Sequence, residues 1–151
     1  MDDLHDLIVK SRELYQIKNE IPCPFFSGVV ILNSDGFNHL LYKANRLPRN
    51  VSEQRLKLNL LKRALAVIQK AGTLQEYRIR LEKIGQMGKD GFTKAKNVEY
   101  WAFHDLFGKE RKFLIRVIVR RVGDGKIHFW SVMPHGKIGR QKIYQEGIED
   151  E

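Results

Sequence analysis

The hydrophobic period of this chain changes at Gly72, and that change limits the fold more than any other feature. Upstream, from Glu53, the residues Leu56, Leu60, Leu61, Ala64, Leu65, Val67 and Ile68 recur at helical spacing and form one wide apolar face. Ser52 is placed to cap that helix and Gly72 to stop it. Arg55, Lys57, Lys62 and Arg63 fall outside the apolar face. Downstream the period is two. Over Leu74–Ile84, Tyr77, Ile79 and Leu81 alternate with Arg78, Arg80 and Glu82. Over Val98–Asp105, Val98, Tyr100 and Ala102 alternate with Glu99, Trp101 and Phe103. Over Lys112–Arg121, Phe113, Ile115, Val117 and Val119 oppose Leu114, Arg116, Ile118 and Arg120. A turn of the Asp-Gly kind, Val122-Gly123-Asp124-Gly125, then leads into a last strand over Lys126–Pro134. Helices early and hairpin-linked strands late predict an α+β fold, with N-terminal helices packed on one face of an antiparallel sheet of about four strands.

The first half adds two helices and one strand to this scheme. Asp3–Lys18 is amphipathic through Leu4, Leu7, Ile8, Ser11 and Leu14, and its first acidic residues oppose the helix dipole. Ile21-Pro22-Cys23-Pro24 forces an extended path, Phe25–Leu32 is expected as a strand, and Asn33-Ser34-Asp35-Gly36 is a turn with capping side chains. A helix from Asp35 to Arg46 follows, closed by Pro48. Gly85–Asn97 is a loop, either a long hairpin tip or a clasp for a phosphate backbone. A chain of 151 residues with 42% hydrophobic content makes one domain, 1–151. It divides into an N-terminal helix (1–20), a strand–helix–helix–strand segment (25–84), an antiparallel meander (98–135) and a polar tail (136–151).

Charge points to the partner class. The net charge is +9 and the isoelectric point about 9.7, so an anionic partner is expected, with nucleic acid first. From Lys43 to Lys83 there are 11 Lys/Arg against 3 Asp/Glu, whereas both ends of the chain are acidic. A single cysteine, Cys23, excludes an internal disulfide and a cysteine-only metal site. The chain has neither a spanning apolar run nor a signal-peptide pattern, so it is expected in the cytoplasm and away from membranes. His39, His104, His128 and His135 lack metal-ligand spacing, and phosphate-binding-loop and nucleophile-elbow motifs are absent, so neither a metal nor another cofactor is expected.

The candidate functional residues follow from what metal-free RNA cleavage needs. One group takes the proton of the 2′-hydroxyl, another protonates the leaving 5′-oxygen, and cations stabilise the phosphorane. His39, Lys43 and Arg46 recur at i, i+4 and i+7 as one helical stripe, which is either a functional row or an ordinary solvated face. Arg49 and Arg55 extend the basic surface toward the next helix. Arg116 and Arg120 share one side of their strand. The last strand supplies His128 and Trp130 on one side and Ser131 on the other, with His135 just past its end. Cations beside an aromatic platform suit single-stranded RNA; the alternative is that Trp101 and Trp130 are core residues.

Helices at the front carrying His39-x-x-x-Lys43-x-x-Arg46, followed by a sheet with Arg and Ser/His on its last strands, resemble the barnase–EndoU–colicin–RelE superfamily of small metal-independent RNases. The segments Phe37–Gly72 and Lys112–His135 are similar to its phage-borne and toxin-type members. The resemblance implies an endoribonuclease, often a toxin paired with an acidic antitoxin or immunity protein. It implies catalytic roles for His39, Lys43, Ser131 and His135. It also implies phosphate-holding roles for Arg116 and Arg120. Arg46, Arg49, Arg55, His128 and Trp130 are expected as further substrate contacts on their charge and stacking chemistry. The residues themselves leave open two rivals, a non-catalytic nucleic-acid-binding module and a regulatory protein docking an acidic partner.

Overall fold

The computed structural model describes residues 3–111 and 113–137. Three helices, α1 (Asp3–Lys18), α2 (Ser34–Leu41) and α3 (Val51–Lys70), accompany six strands. These are β1 (Glu20–Cys23), β2 (Gly28–Ile31), β3 (Glu76–Ile84), β4 (Lys94–Phe107), β5 (Phe113–Val122) and β6 (His128–Lys137). They form one sheet in the order β1-β2-β6-β5-β4-β3. The α+β class is as expected; the sheet is larger than the expected four strands and is mixed. The meander β3-β4-β5-β6 is antiparallel, but β2 joins β6 in parallel at the single register pair Ile31–His128. The expected strand over Phe25–Leu32 is shorter, because Pro24–Phe26 makes one 3-10 turn that folds β1 back on β2. Pro22 fits β1 because that strand lies at the sheet edge.

The helix boundaries also shift. Asn50, not Ser52, caps α3, accepting from the Glu53 amide at 2.8 Å. Helix α2 ends at Leu41, and an isolated bridge between Tyr42 and Pro48 closes the loop behind it. The expected stripe of His39, Lys43 and Arg46 therefore does not lie on one helix: Lys43 and Arg46 sit in the turn that follows. The polar tail falls outside the described residues except for Gly136 and Lys137, which β6 includes.

One face of the sheet carries the main core. Trp101 and Phe103 of β4, Ile115, Val117 and Val119 of β5, and Phe129 and Val132 of β6 pack with the apolar faces of α2 and α3. Trp101 is thus a core residue. The opposite face carries a smaller cluster of Val98, Tyr100, Ala102 and Ile118, with the polar residues Arg116 and Arg120 on the same side of β5.

Strand β6 contains two register slips against β5. Ile118 pairs with Ser131 while Val119 pairs with Phe129, so Trp130 is an extra residue. Leu114 pairs with Gly136 while Ile115 pairs with Pro134, so His135 is another. A bulge of this kind re-aims a side chain and reverses the parity of everything beyond it. His128 and Ser131, expected on opposite sides, consequently pair with Arg120 and Ile118, two positions on one side of β5.

Lys57 is the main correction to the reading of α3. It was expected on the solvated side, yet it is 1% exposed. Its Nζ donates to Ser131 Oγ and to Val132 O, both at 3.0 Å. Past His128, β6 has no register partner in β2, so its outer edge needs donors from elsewhere, and Lys57 supplies one. Lys57→Met keeps the volume but strips two buried acceptors of a donor. We expect it to cost about 2 kcal/mol, read as a lower urea midpoint at unchanged m-value. An unchanged midpoint would show that the lysine's desolvation cost cancels its hydrogen bonds.

Candidate active site

The polar side of β5 organises two groups of side chains, one around Arg120 and one around Arg116. The first lies in a cleft of about 690 Å³ whose lining includes His39, Lys43, Arg46, Lys83, Arg120 and Trp130. Asn33 starts α2 by accepting from the Gly36 amide at 3.0 Å, and the helix presents Phe37, Leu40 and Leu41 to the core. His39 stacks on Trp130 with ring centroids 3.9 Å apart and planes at 13°. The guanidinium of Arg120 lies over the same ring, its Cζ 3.5 Å from the centroid. Two groups this close to one centroid must occupy opposite faces, so Trp130 is filled on both sides. It holds His39 and Arg120 in place and offers no free platform for a base, which corrects its expected role.

Around this stack the remaining residues brace one another. Arg49 is buried; its Nε donates to His39 O at 2.9 Å, its Nη2 meets His39 Nε2 at 3.2 Å, and its Nη1 pairs with Glu53 at 2.7 Å. It supports His39 rather than reaching the cleft as a phosphate clamp. His128 Nε2 accepts from Arg120 Nε at 3.1 Å, and His128 Nδ1 lies 3.2 Å from Lys126 O. Both ring nitrogens are engaged, and the residue orients Arg120 rather than contacting substrate. Arg55 lies half-buried on α3 and is not among the residues lining the cleft.

Burial, reinforced by the Arg120 charge, pulls His128 down to about 4 from 6.5. Between those values the unfolded chain binds the proton and the folded chain does not. Stability attributable to His128 is therefore complete above pH 6.5 and is lost on acidification toward pH 4, by on the order of 3 kcal/mol. Urea denaturation of the parent and of His128→Gln at pH 4–7 checks this: the variant should have the shallower slope over that window. Parallel slopes would refute it.

The second group draws one residue from each strand of the meander. Glu76 (β3), His104 (β4), Arg116 (β5) and His135 (β6) meet at the far end of the same polar side. His104 and Arg116 are direct cross-strand partners. His104 Nε2 lies 2.6 Å from Glu76 Oε2, and Arg116 grips the same carboxylate with Nε to Oε2 at 2.9 Å and Nη2 to Oε1 at 3.0 Å. The His104 and His135 rings are 5.0 Å apart, and His135 Nε2 is 3.5 Å from Arg116 Nη2. His135 Nδ1 is buried with no hydrogen-bond partner among the described residues. Burial alone would raise the Glu76 carboxyl, but hydrogen bonds from His104 and Arg116 and the Arg116 charge outweigh it and hold it below the usual range. Burial, then the Arg116 charge, pulls His135 down to about 4, so its ring is neutral near pH 7. Each of Glu76, His104 and His135 offers a ligand atom, and these atoms lie within 4.8 Å of one another.

A second cavity of about 580 Å³ borders His104 and brings Lys62, Arg63, Lys70 and Gln75 to this end of the sheet. Gln75 Oε1 accepts from the His104 amide at 2.8 Å.

The expected site residues therefore divide. His39, Lys43, Arg46, Arg120, His128 and Trp130 come together, with Arg49 behind them. Arg116 and His135 come together elsewhere, and His135 lies within β6 rather than beyond it. The four residue steps from Arg116 to Arg120 along β5 amount to about 13 Å, so His39 and His135 do not share one centre. Ser131 is fully buried against Lys57 and joins neither group. Glu76 completes the second group, and no sequence pattern singles it out; His104 enters the sequence analysis only as one of the histidines without metal-ligand spacing. The available signal was the alternation Tyr100-Ala102-His104, which puts His104 on the Arg116 side once the β4–β5 register is known.

No protein-family model, curated protein or solved structure matches this chain. Among the described residues, no helix is long and apolar enough to cross a membrane.

Proposed function

We propose that the protein is a metal-independent endoribonuclease whose acid–base centre is Glu76, His104 and His135. The observation carrying this reading is geometric: the His135 imidazole lies 5.0 Å from that of His104, which is hydrogen-bonded to the Glu76 carboxylate. His135 accepts the proton of the 2′-hydroxyl. The 2′-oxygen attacks phosphorus, the bond to the 5′-oxygen breaks, and the His104–Glu76 pair delivers a proton to the leaving oxygen. The products are a 2′,3′-cyclic phosphate and a 5′-hydroxyl. Arg116 fixes Glu76 and adds positive charge near the phosphorane. Lys43, Arg46, Lys83 and Arg120 in the first cleft hold phosphates of the flanking chain, and Arg120 stands about 13 Å along β5 from Arg116. The reading includes a cytoplasmic site of action and, from the resemblance to toxin-type RNases, an acidic antitoxin or immunity protein as inhibitor.

Incubation with single-stranded RNA in EDTA tests it. Fragments ending in 2′,3′-cyclic phosphate are expected, and RNA left intact would overturn the catalytic claim.

One observation favours a second reading, a non-catalytic RNA-binding module. Both faces of Trp130 and the Nε2 of His39 are taken, which makes the first cleft a fixed array of cations rather than a reaction chamber. Binding that falls steeply with salt while RNA stays whole would support it.

A further inference from the structure

We propose that Glu76, His104 and His135 form a binding site for a divalent transition-metal ion of the zinc class. Two imidazoles and one carboxylate are a common donor set for such an ion when a fourth position is left to water. The three residues come from three different strands, so their meeting is a product of the fold and not of local sequence. Their ligand atoms already lie within 4.8 Å of one another. In a tetrahedral site with metal–ligand bonds near 2.1 Å, donor atoms stand roughly 3.3 Å apart. The closest pair, His104 Nε2 and Glu76 Oε2 at 2.6 Å, must open slightly, and the widest must close.

The chemistry of each donor suits the ion. The His104–Glu76 contact is a proton held between a nitrogen and a carboxylate oxygen, and the ion takes the place of that proton. Arg116 holds Oε1 of Glu76 through Nη2, which orients the carboxylate, and its Nε contact with Oε2 must loosen when that oxygen ligates the ion. Glu76 and His104 are half-buried, so the ion can enter from solvent. The strand register holds the backbones of Glu76 and His104, and the paired residues Pro134 and Gly136 flank His135, so little ordering remains to be done on binding.

Occupation has a consequence for the activity proposed above, and this part rests on that reading. The ion would engage the lone pairs through which His135 and His104 move protons, so it would suppress RNA cleavage rather than support it.

The test uses the full chain, stripped with EDTA and dialysed. Titration with Co²⁺ should give one equivalent of tetrahedral visible absorption, and Zn²⁺ should displace it. His104→Ala and His135→Ala should each weaken binding by at least 10-fold, whereas His5→Ala, an exposed residue on α1, should change nothing. If either variant fails to fold, carbethoxylation of the parent protein decides: Zn²⁺ should shield the half-buried His104 and leave His5 reactive. Absence of saturable binding, or binding indifferent to these histidines, would overturn the site. One-to-one binding with RNA intact in EDTA would uphold the site and overturn the nuclease. Cleavage in EDTA that persists at saturating Zn²⁺ would uphold the nuclease and overturn the suppression.

Discussion

Gly36→Ala will destabilise the protein by about 3 kcal/mol, although glycine-to-alanine inside a helix ordinarily stabilises by about 0.5–1 kcal/mol. The sign is set by one close approach. A Cβ on Gly36 would stand 2.1 Å from Phe129 O and 2.8 Å from Tyr15 Oη. Phe129 lies in the middle of the core in β6, and its carbonyl belongs to the backbone, so it cannot swing away. Tyr15 is equally constrained, because its hydroxyl donates to Asn33 O at 2.7 Å at the start of α2. The helix must therefore move off β6 as a unit. That motion would separate His39 from Trp130, so the loss of stability should come with a change in tryptophan fluorescence and weaker RNA binding. Urea denaturation followed by fluorescence measures both. A midpoint equal to or above the parent's would show that α2 does not dock as described.

His135→Ala and His104→Ala will each lower the rate of RNA cleavage by roughly 10²–10⁴-fold, the range for loss of a positioned acid or base. The two losses should not add in the double variant, because the second histidine has little to do once proton transfer at the first is gone. Lys43→Ala should act differently. It removes a cation in the first cleft, away from the acid–base centre, so KM should rise while kcat changes little. Added imidazole should restore part of the activity of His135→Ala if the lost function is proton transfer. Single-turnover assays with thermal melts of each variant separate chemistry from folding. Equal kcat values for the parent and both histidine variants would remove the acid–base assignment.

The elements themselves were largely legible. The Leu face of α3 from Leu60 onward, the bounds of α1 and the alternation in β4 and β5 follow from period alone, because burying one side of a helix or strand imposes that period on the chain; Leu56, expected on that face, is instead exposed, and Leu58 is buried. Strands β1 and β2 were harder. Each is only 4 residues long, and their place in the sheet depends on a parallel pairing with β6 nearly one hundred residues away, which local pattern does not encode. Lys57 looked solvated because its neighbours on α3 are; only the unpaired edge of β6 explains a buried ammonium there.

The candidate sites show the same division more sharply. The residue types were in the sequence: a basic chain with histidines, arginines on one strand face and a tryptophan near its end, which together set the expectation of an anionic partner. The grouping of those residues was decided by tertiary structure. Two bulges in β6 turn Trp130 and His135 out of the alternating pattern, and the β3–β4 register carries Glu76 to His104. Period-two alternation counts residues and is blind to an inserted one, so every assignment past a bulge reverses face. Side-chain chemistry was thus determined by the sequence alone, whereas the partners each side chain meets were set by strand register, which long-range packing fixes.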